Sequence, residues 1–352
     1  MHTKLRTMRT LHLNALSLLF LLAVSCTGSD QPVDPSELEV SLSGSEETHL
    51  LKDDMQLLSS IENVMALGDS ALLVVDQSPN VALFENHVMT RTFGQQGEGP
   101  CEYTRVGAID VSGDSLYVHA PRQSKVITYR LSTGECTGEV SHESFNAATY
   151  LARAGGDFYT ARTRYAQSMP DSTRLFFRHA RDGEPEPLSF TKSMADPIDT
   201  PVPITYPGLN FARSGDMLFA YLPFTRTMIS LDANTRETAI HPMELSIPRE
   251  EIESASDSRR ILELINQQME YVVRLLATDR WVVASVVHPG DAGSDQIRGL
   301  QFYTHQGDFI GEVNLDAYRL AIHGNRIIYI RTVEDPSSDY SYEVVYREFT
   351  VE

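Results

Sequence analysis

Short apolar runs and tight polar turns alternate along this chain, and the alternation repeats. Six turns, centred on Asp69, Asp114, Asp157, Asp216, Asp279 and Asn325, are each followed at once by a run of β type. The runs read Ala-Leu-Leu-Val-Val (71–75), Leu-Tyr-Val-His (116–119), Phe-Tyr-Thr-Ala (158–161), Leu-Phe-Ala-Tyr (218–221), Trp-Val-Val-Ala (281–284) and Ile-Ile-Tyr-Ile (327–330). Aromatic and β-branched residues of this kind suit strands. The turns are 45, 43, 59, 63 and 46 residues apart, and three of these intervals match the roughly 40–50 residues of a four-stranded propeller blade. One blade cannot bury both faces, so such units stack around an axis until the ring closes. The pattern predicts an all-β, six-bladed β-propeller of four-stranded antiparallel blades.

Blade 2 shows the template most clearly. Arg105 to Val111 reads as an inner strand, Ser112 to Ser115 as the turn, Leu116 to Ala120 as the second strand, and Lys125 to Leu131 alternates as the third. An outer strand follows from Cys136 to about His142. The two long intervals carry insertions. Thr191 to Leu209 contains Pro197, Pro201, Pro203 and Pro207, which excludes a central strand. Residues 248–268 predict one helix, with Pro248 at its start, acid in its first turn, and Ile261, Ile265 and Met269 on one face beside Leu262. The last blade has a single hairpin before the chain ends. The alternating segment Leu38 to Leu42 is therefore expected to supply its outer strand and close the ring.

The ends and the charge narrow the setting. Lys4, Arg6 and Arg9 precede a mostly apolar stretch, Leu11 to Val24, that is shorter than the ~20 residues of a membrane span. It ends Leu-Ala-Val-Ser-Cys, which resembles a bacterial lipoprotein signal with Cys26 as the lipidated residue. This divides the chain into a signal peptide (1–25), a lipidated Cys26 with a polar tether (26–37), and the propeller (38–352). The expected location is the cell envelope, anchored by lipid at Cys26, with the outer membrane favoured. The whole chain carries a net charge of −19, and without residues 1–25 it has 26 Lys+Arg against 48 Asp+Glu. Such a field repels phosphate backbones, so nucleic acid is excluded as a partner class. Cys101 and Cys136 lie in an oxidising compartment, but the blade template puts them at opposite ends of blade 2. A strand is ~17–20 Å long and bridged Cα atoms must lie within ~7 Å, so two free thiols are expected.

One segment carries a family resemblance. Phe93-Gly-Gln-Gln-Gly-Glu-Gly-Pro-Cys-Glu-Tyr103 resembles the Gly-x-x-Gly-x-Gly-Pro-Gly-Glu-Phe/Tyr signature of six-bladed, NHL-like β-propeller lipoproteins of the bacterial cell envelope. The matching positions are Gly94, Gly97, Gly99, Pro100, Glu102 and Tyr103; Cys101 stands where the signature has Gly. The resemblance implies architecture and location and supplies no catalytic residues.

Chemistry is sparse. The glycines of that segment precede a strand, and no Gly-Lys-Ser/Thr follows, so they do not form a phosphate loop. No zinc spacing and no Gly-x-Ser-x-Gly elbow occurs. A propeller can still gather an oxygen-ligated cation from several inner strands, with Glu62, Asn63, Glu102, Asp110, Asn210 and Glu270 as candidates. The leading expectation is a non-catalytic protein without a cofactor that binds a protein partner or a ligand such as carbohydrate or peptide. Its binding face would be the funnel, with Gln95, Gln96, Glu102, Tyr103, Tyr206, Glu270 and Tyr271 as candidate contacts. The alternative is a hydrolase or lyase acting on a sugar or lactone through a central divalent cation, with calcium the candidate.

Overall fold

The computed structural model describes residues 35–53, 58–78, 80–162, 165–166, 172, 174–180, 184–188, 190, 205–206, 210–222, 227–243, 245, 249–268, 270–288, 297–333 and 341–352. Cys26, the leader and most of the Pro-rich insertion lie outside them. The chain divides into two units, Met1–Leu38 and Glu39–Glu352. In the first, the described part is a 3-10 turn over Pro35–Glu37.

The second unit is a six-bladed propeller. Blade 1 comprises strands Ile61–Ala66, Ala71–Asp76, Asn80–Glu85 and Val88–Phe93, and blade 2 comprises Ala108–Ser112, Ser115–Ala120, Lys125–Arg130 and Cys136–Ser141. Blade 3 is built from Ala148–Ala154, Asp157–Arg162, Phe176–His179 and Glu186–Pro187, and blade 4 from Asn210–Ser214, Met217–Leu222, Thr227–Asp232 and Thr238–Pro242. Blade 5 uses Tyr271–Ala277, Trp281–Val287, Ile297–Thr304 and the first half of the long strand Phe309–His323. The second half of that strand is the inner strand of blade 6, followed by Arg326–Val333 and Ser341–Val351. Every apolar run that marked the repeat is a second strand. These strands are buried on both faces, which is why their sequences read as nearly continuous apolar runs.

The turn residues recur because they tie the two hairpins of a blade together. The carbonyls of Ser70, Asp114, Asp216 and Asn325 accept the backbone N–H of Asn86, Leu131, Ala233 and Phe349 at 2.8–2.9 Å. Asp114 also accepts from the N–H and hydroxyl of Ser132, and Asp216 from Gly155 N–H in the neighbouring blade. Apolar clusters fill the spaces between blades: one joins Leu73, Val81 and Phe93 of blade 1 to Val118 and Ile127 of blade 2. Another joins Val74 and Phe84 of blade 1 to Ile328 and Val344 of blade 6.

The N-terminal segment closes the ring as expected, by more than the expected strand. Val40–Leu42 pairs with Phe349–Val351, and a second strand, Glu47–Leu50, pairs with Glu343–Tyr346 of the same outer strand. Glu46 between them accepts from Tyr329 Oη (2.9 Å) and Arg331 Nη2 (3.0 Å).

Two expectations need correction. The helix is two helices, α1 (Arg249–Ser254) and α2 (Ser258–Gln268), because Asp257 stops the first and caps the second by accepting Arg260 N–H at 2.8 Å. Both pack on blades 3 and 4, where Ile252, Ile261 and Leu264 bury against Phe176, Leu222 and Ile229. The thiols are also not free. Cys101 and Cys136 form a disulfide with Cα atoms 6.1 Å apart. The connection after blade 1 does not stay at the strand ends but lies along blade 2. There Tyr129 Oη donates to Cys101 O (2.6 Å), and Cys101 N–H donates to Glu139 (3.1 Å).

Candidate functional site

Six inner strands surround the axis, and four of them carry a register irregularity at the same level. The extra residues are Glu62 in blade 1, Thr149 in blade 3, Val273 in blade 5 and Arg319 in blade 6. A bulge leaves one residue out of the ladder and re-aims the side chains beside it. Arg319 has φ of +55°, a left-handed conformation that a non-glycine residue adopts only where its surroundings impose it. The repeated bulges turn Glu62, Val273 and Arg319 toward the axis together with Asn63, Tyr150 and Arg274.

Two cavities meet along the axis. The upper one, of ≈ 270 Å³, lies at the level of the bulges and the starts of the inner strands. The other, of ≈ 380 Å³, lies toward their ends and includes Asp110 and Arg213. Asn63, Ala108, Tyr150 and Arg274 line both and form the waist between them. Arg274 is surrounded by protein while its side chain still touches the cavity. Among the described residues its one hydrogen bond runs from Nη2 to Val64 O at 3.0 Å, out of five N–H donors. Burial, reinforced by the neighbouring Arg319 charge, brings its pKa down to about 10. Arg319 Nε donates to Ile61 O at 2.8 Å. Burial raises the Tyr150 phenol above its ordinary range. Asn63 Oδ1 is buried and accepts no hydrogen bond from the described residues. Glu62 lies on the wall of the upper cavity.

The lower end is locked. Asp110 receives Arg213 Nη2 at 2.9 Å and Nε at 3.3 Å, Val111 N–H at 2.8 Å and Arg153 N–H at 2.5 Å. One buried carboxylate thereby clasps blades 2, 3 and 4, and its acceptors are in use.

The residues singled out by sequence fall elsewhere. Of the funnel candidates whose side chains are described, Gln95, Gln96, Glu102, Tyr103 and Glu270, none lines either cavity. The glycine segment is an internal knot. Glu102 accepts from Gln95 Nε2 and Gly99 N–H, which holds its carboxyl below the usual range. A Cβ on Gly97 would lie 2.0 Å from that carboxylate, and one on Gly94, at φ +68°, would lie 2.3 Å from Tyr129 Oη. Pro100 lies exposed at the tip of the turn. Tyr103 is buried, with its hydroxyl donating to Phe93 O, so it packs blades 1 and 2 and does not present a binding surface. Cys101 keeps a left-handed φ of +59° although it is not glycine. Gln95 and Gln96 are exposed. Glu270 meets His288 Nδ1 at 3.1 Å, while His288 Nε2 meets Glu312 at 2.8 Å. The side chains of Tyr206, Tyr271 and Asn210 lie outside the described residues. Of the cation-ligand candidates, Glu62, Asn63 and Asp110 do line the axis. Arg274, Arg319 and Tyr150 were missed, though an arginine inside the apolar stretches Val-Val-Arg-Leu-Leu (272–276) and Ala-Tyr-Arg-Leu-Ala (317–321) was a usable signal.

Residues 49–288 match a family described as a 6-bladed beta-propeller, DUF5128. The chain belongs to this family. The DUF5128 match takes in blades 1 to 4 and the first two strands of blade 5, so Arg274 lies within it and Arg319 beyond it. No curated protein matches the chain. Among solved structures, a Bacteroides fragilis protein inferred to be exported is similar over 87% of this chain and 95% of its own, at 15% identity and a TM-score of 0.62. The WD40 repeats of RRP9 are similar over 89% of this chain and 100% of their own, at 8% identity and a TM-score of 0.51. At these identities the likeness is one of fold.

Proposed function

We propose that this DUF5128 chain is an exported propeller, anchored by lipid at Cys26 to the bacterial outer membrane, that serves as a non-catalytic binding module. Its partner, a protein segment or a small ligand, enters at the axial mouth where the inner strands begin. One observation carries the reading: bulged inner strands bring Arg274, Arg319, Asn63 and Tyr150 to one cavity. Among the described residues, Arg274 has more donors there than it uses in hydrogen bonds. Polar groups left over in a pre-formed concave site are what ligand sites supply.

The cation-dependent hydrolase or lyase is disfavoured by charge, since calcium beside Glu62 and Asn63 would stand against two guanidiniums. A scaffold that binds through its rim would expose a joined apolar patch. Among the described residues, the exposed large apolar side chains on outermost strands fall singly: Leu50, Val140, Ile240 and Phe309. A photocrosslinking residue at Val273, which is 40% exposed and lines the cavity, should capture the partner in intact envelopes. The same probe at Ile240 on the outer rim should not; capture at Ile240 alone would refute the axial reading. Substitution Cys26→Ala should abolish incorporation of labelled fatty acid.

A further inference from the structure

The exterior of this protein is strongly acidic, yet its axis holds two arginines near one another. Burying a guanidinium costs stability, and placing a second one beside it adds repulsion. Arg319 is moreover held in a left-handed conformation within a strand. Three separate departures from a comfortable fold (an enclosed cation, a like-charged neighbour and a strained backbone) meet in one cavity. Such departures collect where a site is pre-organised for a ligand.

We propose that the upper axial cavity binds a small hydroxylated monocarboxylate, of the sugar-acid class, with the carboxylate held by Arg274 and Arg319; this rests on the binding-module reading. Arginine forks match a carboxylate in plane and charge. Among the described lining residues two guanidiniums stand with one carboxylate, Glu62, a set that suits a monoanion better than dianionic phosphate. The buried Asn63 Oδ1, which accepts nothing from the described residues, calls for a donor such as a hydroxyl beside the carboxylate. At ≈ 270 Å³ the cavity has room for a ligand of one sugar ring. The low-dielectric walls strengthen the attraction, so the surface charge of the protein does not cancel it.

Thermal unfolding of the mature protein with glucuronate, glucose, acetate or inorganic phosphate tests this. Saturating glucuronate should raise Tm by a few degrees, acetate and phosphate less, and glucose not at all. Arg274→Gln should lose the glucuronate response while its unliganded Tm stays equal or rises, because a buried like charge has gone. A drop in unliganded Tm with the response intact would make Arg274 a structural residue and overturn the proposal. Glu62→Gln should increase the response to phosphate relative to glucuronate. An equal glucuronate response in wild type and Arg274→Gln would place the anion elsewhere, and no response in either would remove this ligand class. A response to glucose alone would overturn the anion assignment and leave the binding module standing. Loss of crosslinking at Val273 would instead bring down the module itself.

Discussion

Removing the Cys101–Cys136 bridge gives the sharpest stability prediction. The bridge spans a sequence separation of 35. The loop-entropy relation gives roughly 13 cal/mol/K for a loop of that size, or about 4 kcal/mol at 25 °C. Unfolding a chain of this length releases ~2.1 cal/mol/K per residue, so the 39–352 unit has a ΔS near 0.65 kcal/mol/K. Tm should therefore fall by about 6 °C in Cys101→Ala/Cys136→Ala. Cys101 adds a second effect, since its φ is +59°. Cys101→Gly/Cys136→Ala should recover ~1 kcal/mol of the loss, because glycine adopts that conformation without strain. The assay is calorimetry of the oxidised protein and both variants, with intact mass and thiol labelling to count free cysteines. Two reactive thiols in the native protein would refute the bridge. A Tm within 2 °C of wild type would refute the entropy argument.

Acid should weaken the fold through two buried histidines. Burial brings His119 and His179 down to about 4 from 6.5. The unfolded chain then binds more protons between those values. The stabilisation is complete above about pH 6.5, falls as pH drops through that window, and levels off below about 4. At ~1.36 kcal/mol per pH unit each contributes about 3 kcal/mol, and urea titrations across this range should show a shallower slope in His119→Gln. Gly94→Ala should cost at least ~1–2 kcal/mol for the left-handed backbone alone, with further loss from the contact against Tyr129; a stability unchanged in urea would contradict the knot. A chain beginning at Leu51 lacks both strands that cover Ser341–Val351. It should associate through that open edge in size-exclusion chromatography, and a monomer of full thermal stability would sink the closure argument.

The fold was legible because its cause is local and repeated. In four blades the polar turn makes the same bond to the next hairpin, and each second strand is buried on both faces, so six copies of one pattern appear in sequence. The Leu38–Leu42 segment was legible as an alternating strand without a neighbour. The second closing strand, Glu47–Leu50, was not, because its side chains are mostly exposed and leave no apolar period. The disulfide was hidden by treating the connection after blade 1 as a short crossing, when Tyr129, Glu139 and Lys125 draw it along the blade. The site was hidden for a related reason. Bulges at Glu62, Val273 and Arg319 set what faces the axis, and a bulge follows from pairing between strands rather than from any residue alone. The glycine signature drew attention first, and its glycines are there to fit Glu102, Tyr103 and Tyr129.

The central claim is that the axial arginines form an anion site. Crystals of the protein soaked in sodium bromide test it most directly through the anomalous signal of the ion. The account predicts a bromide peak between the guanidiniums of Arg274 and Arg319 that glucuronate displaces. Bromide confined to the outer surface, with the axial cavity free of it, would contradict the account.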